Sequence, residues 1–76
     1  MNVERLMAMT NDIANFFAAE PERQVAVDGV VAHLKRFWEP RMRQQLLAHV
    51  QAQGFAGLNE LATAAVRRLM QVEAQT

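Results

Sequence analysis

The chain lacks the residues on which many small catalytic sites depend. It contains no cysteine and no tyrosine, and serine is missing as well. Without cysteine there is no disulfide framework, thiolate zinc site or iron–sulfur site, and without serine there is no serine triad. The carboxylates are scattered, with no pair suited to acid–base chemistry. We therefore expect no catalytic residue, cofactor or metal on this chain.

Long apolar runs are absent too. No stretch approaches the roughly 18 apolar residues of a membrane span, and the charged N-terminal region lacks the core of a signal peptide. A length of 76 residues suits a single domain, and the absence of cysteine suits a reducing compartment. We expect one domain over residues 1–76, soluble, cytoplasmic and without membrane contact, with a frayed extreme C-terminus.

The charges are segregated although the formal net charge is zero. Residues 1–28 carry five acids against two arginines, and residues 33–50 carry four basic residues against one acid. Such segregation indicates either an electrostatically polarised surface or two regions that face one another within the fold.

The hydrophobic spacing is helical throughout and predicts an all-α fold, a small compact bundle of about four short helices. We expect helices over residues 2–19, 21–38, 40–53 and 58–72. Pro21 and Pro40 suit the first positions of the second and third helices, so that Glu39 and Pro40 mark an elbow. Gly54 suits a left-handed C-terminal cap, and Phe55 is expected to pack back near Val50.

The first helix has an apolar arc wider than one-sided packing requires. One strip contains Val3, Leu6, Met7, Thr10, Ala14 and Phe17. A second strip beside it contains Met9, Ile13 and Phe16. Either this helix touches two neighbours in the bundle, or Met9 and Phe16 stay exposed and meet a partner.

The segment from His33 to Val50 predicts a buried stripe of Leu34, Trp38, Met42, Leu46 and Val50. Trp38 is either a core residue or an interface anchor, because tryptophan and arginine dominate binding hot spots. Phe37 is expected to reach outward, with Arg36 and Arg41 as contacts at the rim.

Arg43 lies inside the apolar arc of the third helix, where a charge needs a partner. Within the chain that partner is Glu39, Asp28, Glu20 or free backbone carbonyls, and a partner subunit serves equally well. Gly29 falls in the middle of a helix, and close approach of another backbone would explain it. His33 and His49 lie on different helices, and a metal site there lacks a third ligand.

Two stretches carry a family resemblance: "NFFAAEP", residues 15–21, and "HLKRFWEPRMRQQLLAHV", residues 33–50. Together they resemble the small delta subunit of cytoplasmic, NAD-dependent molybdenum formate dehydrogenases. The resemblance covers roughly residues 3–70. Its most specific part is Phe37 and Trp38 followed by Pro40 to Arg43, with His33 upstream and Leu46 downstream.

The resemblance implies a non-catalytic accessory subunit of an oxidoreductase complex. The family's large subunit carries the molybdenum cofactor and iron–sulfur clusters, and other subunits carry FMN and the NAD site. The small subunit would bind the large one and support its assembly, stability or cofactor maturation. We expect the contact to involve Phe37, Trp38, Arg36, Arg41, Arg43, Met9 and Phe16.

Two other interpretations stay open. The isolated chain pairs with itself if the partner surface is left uncovered. Alternatively, the chain is a free-standing helical regulator or a nucleic-acid-binding protein. Zero net charge and the acidic first third argue against nucleic acid as a partner.

Overall fold

Four α-helices make up most of the protein. The structure, a computed structural model, describes residues 2–75. In it α1 spans Val3–Phe17, α2 Arg23–Phe37, α3 Pro40–Gln53 and α4 Glu60–Ala74. No strand occurs within residues 2–75, so the predicted all-α class is confirmed. None of these helices has the length and apolarity needed to cross a membrane. The predicted C-terminal fraying concerns in part Thr76, which lies outside the described residues.

Asparagines cap the first and the last helix. The Asn2 side chain accepts a hydrogen bond from the Glu4 N–H at 2.7 Å. The Asn59 side chain accepts one from the Ala62 N–H at 2.8 Å. Each bond satisfies a donor that a first helical turn leaves unpaired. Because Asn59 is the cap, α4 begins two residues after the predicted Leu58.

The predicted start of α2 at Pro21 is wrong. The helix begins at Arg23, and Glu22 precedes it with extended backbone angles. After α1 the chain first turns, with the Glu20 N–H donating to the Phe17 carbonyl at 3.0 Å. Residues 18–22 thus form the turn that connects α1 to α2. Pro21 lies within this turn, where its fixed φ restricts the backbone, and not at the first position of α2.

The predicted elbow between α2 and α3 is confirmed. Trp38 and Glu39 both have extended backbone angles, so that α2 ends one residue before the predicted Trp38, and Pro40 opens α3. At the far end of α3, Gly54 has a φ of 88°, a conformation that glycine adopts at little steric cost. Local signals fix both ends of α3, and its bounds are the predicted ones.

The core draws on every helix. The predicted stripe across the elbow is confirmed, because Leu34, Trp38, Leu46 and Val50 are buried and Met42 packs against them. Burying a large aliphatic side chain contributes about 1.5–3 kcal/mol. Helix α1 packs against all three other helices, so contacts within the chain account for part of its wide apolar arc.

Helices α2 and α4 lie side by side and run in the same direction. At their N-terminal ends Arg23 pairs with Glu60, with 2.5 Å between Nη2 and Oε2. At their C-terminal ends Arg43 from α3 connects the last turn of α2 to Glu73 of α4. This arrangement leaves one flank of α2 facing α1 and the other facing α4.

Candidate partner-binding surface

The second apolar strip of α1 remains partly uncovered. Met9 and Ile13 are half-buried, whereas Phe16 is 76% exposed. Positions three and four residues apart share one side of a helix, so the three side chains form a continuous strip. The two alternatives for this strip apply to different residues: Met9 packs against the core of its own chain, and Phe16 extends into solvent.

Helix α2 brings a second exposed phenylalanine to this region. Phe37 is 65% exposed, which confirms its predicted outward direction. Its ring centroid lies 4.8 Å from that of His33, one helical turn earlier. The guanidinium carbon of Arg36 lies 5.6 Å from the Phe37 centroid, within the range of a cation–π interaction.

His33 lies where the two helices meet. It lines one concavity of about 310 Å³ with Ile13 and Phe16. It also lines a second concavity of about 400 Å³ with Met9, Phe37 and Met42. Asp12, Ile13 and His33 line both, so the two concavities adjoin. We call the surface formed by Met9, Ile13, Phe16, His33, Phe37 and Met42 the α1–α2 apolar face.

A glycine allows α1 and α2 to meet at this face. A Cβ atom on Gly29 would lie 2.5 Å from Cε1 of Phe17, well inside van der Waals contact. The Phe17 ring in turn packs edge-on against the ring of Phe16, with 5.1 Å between centroids. The expectation of a nearby backbone at Gly29 is wrong, because an aromatic ring occupies the space. Gly29 therefore helps to position the exposed Phe16.

Trp38 belongs to the core and also lies beneath the apolar face. It is 6% exposed, and it lines the concavity shared by Met9, His33 and Phe37. The side chain thus supports the face from below while Phe37 projects beside it. The interpretation of Trp38 as a core residue is confirmed. Its role as an interface anchor stays a prediction.

Arg43 finds its partners within the chain. Its Nε donates to Oε1 of Glu73 at 3.1 Å. One terminal nitrogen, Nη1, donates to the carbonyls of Trp38 at 2.7 Å, Lys35 at 3.3 Å and Leu34 at 3.4 Å. These carbonyls lie at the C-terminal end of α2, where most acceptors lack a donor within the helix. The Leu34 carbonyl also accepts from the Trp38 N–H at 3.1 Å.

This arrangement makes Arg43 a cap for the C-terminus of α2. A cation there also interacts favourably with the helix dipole, and its side chain is only 15% exposed. Of the acceptors expected from the sequence, the backbone carbonyls are confirmed. The expectation that Arg43 pairs with Glu39, Asp28 or Glu20 is wrong. The carboxylate that Arg43 reaches is Glu73, 30 residues further along the chain.

The remaining basic residues of the segment face solvent. Arg36 and Arg41 are exposed, consistent with rim positions, and whether they contact a partner stays a prediction. Within residues 2–75, neither ion pair joins the acidic first third to the basic segment. Both pairs instead involve α4. The segregated charges are therefore not paired off against each other inside the fold.

The two histidines lie in different concavities. His33 is part of the α1–α2 apolar face, whereas His49 lines a concavity with Glu4, Asn11 and Gly57. In the described part of the chain, no three or more histidine, cysteine, aspartate or glutamate side chains are grouped so that they could hold a metal ion.

Three members of the face are absent from the contact set that the sequence predicts, namely Ile13, His33 and Met42. Ile13 and His33 follow from helical spacing, because each precedes an exposed phenylalanine by three or four residues. No local signal places Met42 beside them, since α3 reaches this surface only through the elbow.

Comparison with protein-family models gives a match over most of the chain. The model of the family described as NADH-dependent formate dehydrogenase delta subunit FdsD matches residues 5–66. That range includes α2 and α3 in full, nearly all of α1 and the first half of α4. No curated protein and no solved structure matches the chain.

Proposed function

The chain belongs to the NADH-dependent formate dehydrogenase delta subunit family, and from this we propose that it is a non-catalytic accessory subunit that docks on the large molybdenum-bearing subunit. The molybdenum cofactor, iron–sulfur clusters, FMN and the NAD site belong to partner subunits in this proposal. The complex operates in the cytoplasm, and the small subunit supports assembly, stability or cofactor maturation of the large one.

One observation carries the proposal: the α1–α2 apolar face exposes two phenylalanines beside two adjoining concavities. Phe16 is 76% and Phe37 is 65% exposed, which leaves a large apolar area in water unless a partner covers it. Burial of apolar area is favourable by about 25 cal/mol per Å². Aromatic side chains next to a pocket are typical centres of interface energy.

Charged residues at the rim of the face are expected to orient the bound partner more than they strengthen its binding. Arg36 lies beside Phe37, and Asp12 lines the concavities from the α1 side. Charged residues of opposite sign at two edges allow a partner to dock in one orientation, because the wrong orientation brings like charges together. Arg41 is exposed and is proposed as an additional rim contact.

The test is co-purification of the chain with the large subunit, comparing a face variant with a matched control. The double substitution Phe16→Ser/Phe37→Ser removes both exposed rings, and we expect the large subunit to be lost from the purified complex. The control is Val25→Ser, which changes another exposed apolar residue, 45% exposed, outside the face. The control variant should co-purify normally.

Folding of the variants is checked by thermal unfolding. Both Phe16 and Phe37 are exposed and each loses one ring contact, so their joint replacement should lower the free energy of unfolding by no more than about 2 kcal/mol. Normal co-purification of a folded Phe16→Ser/Phe37→Ser variant would remove the α1–α2 apolar face from the interface. Loss of binding by Arg36→Ala/Arg41→Ala alone would shift the contact to the rim.

The accessory role is tested on the large subunit. When it is produced together with the face variant instead of the native chain, we expect a lower yield, a lower melting temperature or a lower molybdenum content per large subunit. Which of the three quantities changes distinguishes support of assembly, of stability and of cofactor maturation. A large subunit unchanged in all three contradicts the accessory role.

A further inference from the structure

A second surface lies on the other flank of α2. Arg23 and Gln24 of α2, with Arg67, Arg68 and Gln71 of α4, line an open groove of about 550 Å³ between these helices. The sequence does not reveal it, because its basic residues come from two segments that are far apart. In the fold they form a cluster of hydrogen-bond donors along one side of the molecule.

Two carboxylates lie near the groove, and Glu60 is paired with a cation whereas Asp28 keeps its charge beside a neutral amide. Glu60 pairs with Arg23, and Asp28 accepts a hydrogen bond from Gln24 at 3.0 Å. The guanidinium carbon of Arg67 lies 4.5 Å from the Phe55 ring centroid, a contact that orients the group without neutralising it. Among residues 2–75, Arg68 has no hydrogen-bond acceptor or ion-pair partner.

The groove and the α1–α2 apolar face point in different directions. In an α-helix successive residues are rotated by about 100°. Arg23, Gln24 and Val27 lie in the first turns of α2, whereas His33 and Phe37 lie in its last turns. Around the helix axis Val27 and His33 are about 120° apart. A partner element in the groove consequently does not compete with one on the apolar face.

From this charge pattern we propose that the α2–α4 groove binds an acidic segment of another polypeptide. The Arg67 and Arg68 guanidinium groups present the planar donor geometry that carboxylates accept. Gln24 and Gln71 can each donate to or accept from a peptide backbone. Given the proposed function, the chain then connects two elements of its complex, an acidic one near the start of α2 and an apolar one near its end.

The lining of the groove favours a polypeptide over a nucleic acid. Val27 and Ala64 contribute aliphatic side chains to it, and its lining residues include no aromatic ring for the stacking of bases. The Phe55 ring, which lies outside the lining, has the Arg67 guanidinium over it.

The test uses the full chain and three fluorescein-labelled probes in anisotropy titrations at low ionic strength. Deca-glutamate is the acidic probe, deca-lysine its opposite, and deca-thymidylate a nucleic acid of about the same charge. We expect deca-glutamate to bind best, and we expect the binding to weaken as salt rises. Arg67→Gln/Arg68→Gln should weaken it about tenfold, as the loss of two exposed charge pairs predicts.

The matched control is Arg5→Gln/Lys35→Gln, which removes two exposed positive charges outside the groove. It should change deca-glutamate binding less than about twofold. Circular dichroism checks that the variants keep their helices. If the double variant unfolds, Arg68→Gln alone should still give part of the loss, because Arg68 supports no other side chain.

Three results would overturn the proposal: no binding of deca-glutamate, an equal loss in the groove and control variants, or tighter binding of deca-thymidylate through Arg67 and Arg68. The inference does not rest on the apolar face. Deca-glutamate binding should persist in Phe16→Ser/Phe37→Ser, so failure of one proposal leaves the other intact.

Discussion

Two regions beside the elbow, the Arg43 cap and the α1–α2 apolar face, show how differently similar sequence signals are used. Both contain residues expected at a partner interface. Arg43 makes four hydrogen bonds within the chain, whereas Phe16 and Phe37 remain mostly exposed. A cation in an apolar arc is satisfied by the nearest helix C-terminus. An exposed aromatic ring is not covered in this way by its own chain, and its apolar area stays in contact with water.

Trp38 belongs to both regions and should give the largest effect. Its carbonyl accepts from Arg43, and its side chain lies under the face. Trp38→Ala removes a buried aromatic side chain, which costs about 3–5 kcal/mol. We expect the melting temperature to fall steeply in a thermal unfolding experiment. In Trp38→Phe the new side chain fills most of the space, so the melting temperature should fall much less. Equal losses in the two variants would contradict a packing role.

Substitution of Arg43 should give the next largest effect. Arg43→Met keeps the apolar stem but leaves Glu73 and the last carbonyls of α2 without this donor. Hydrogen bonds to charged groups contribute about 1.5–3 kcal/mol each, partly recovered here by solvent. We expect a loss of about 2–3 kcal/mol in chemical unfolding.

The matched control for Arg43 is Arg41→Met, an exposed arginine on the same helix, which should change the free energy of unfolding by less than about 0.5 kcal/mol. The free energy of unfolding of Arg43→Lys should lie between those of the native chain and Arg43→Met, because an ammonium group cannot reproduce the planar set of donors. Equal stability of the two methionine variants would show that the cap contributes nothing.

Substitution of Gly29, where α1 and α2 meet, should give the smallest of these changes in stability. It tests whether the contact of Gly29 with Phe17 determines how the two helices pack. Gly29→Ala gains up to about 1 kcal/mol of helix propensity, but its Cβ would overlap the Phe17 ring. Overpacking of this kind costs about 1–3 kcal/mol. We therefore expect a small net destabilisation of about 1 kcal/mol, measured by chemical unfolding.

A double-mutant cycle isolates that contact. In a Phe17→Ala background the ring is gone, so Gly29→Ala should become neutral or stabilising. If Gly29→Ala has the same effect with and without the ring, the crossing does not depend on this glycine.

The helical framework and much of the face could be predicted from local patterns. Pro40 and Gly54 set the bounds of α3, and helical spacing places Leu34 and Trp38 in the core. The exposed Phe37 follows from the same spacing. The start of α2 could not be predicted from Pro21, since the length of the turn after α1 depends on how the two helices pack.

The sequence by itself determined the all-α class, the elbow, the buried stripe and the family, because these depend on residues a few positions apart or on a recognisable local pattern. Only the tertiary structure decided that Glu73 pairs with Arg43, that Phe17 occupies the space at Gly29, and that Arg23 lies near Arg67 and Arg68. These contacts join residues far apart in the chain. Helical periodicity gives the face on which a residue lies but not the neighbour it meets there, which packing alone determines.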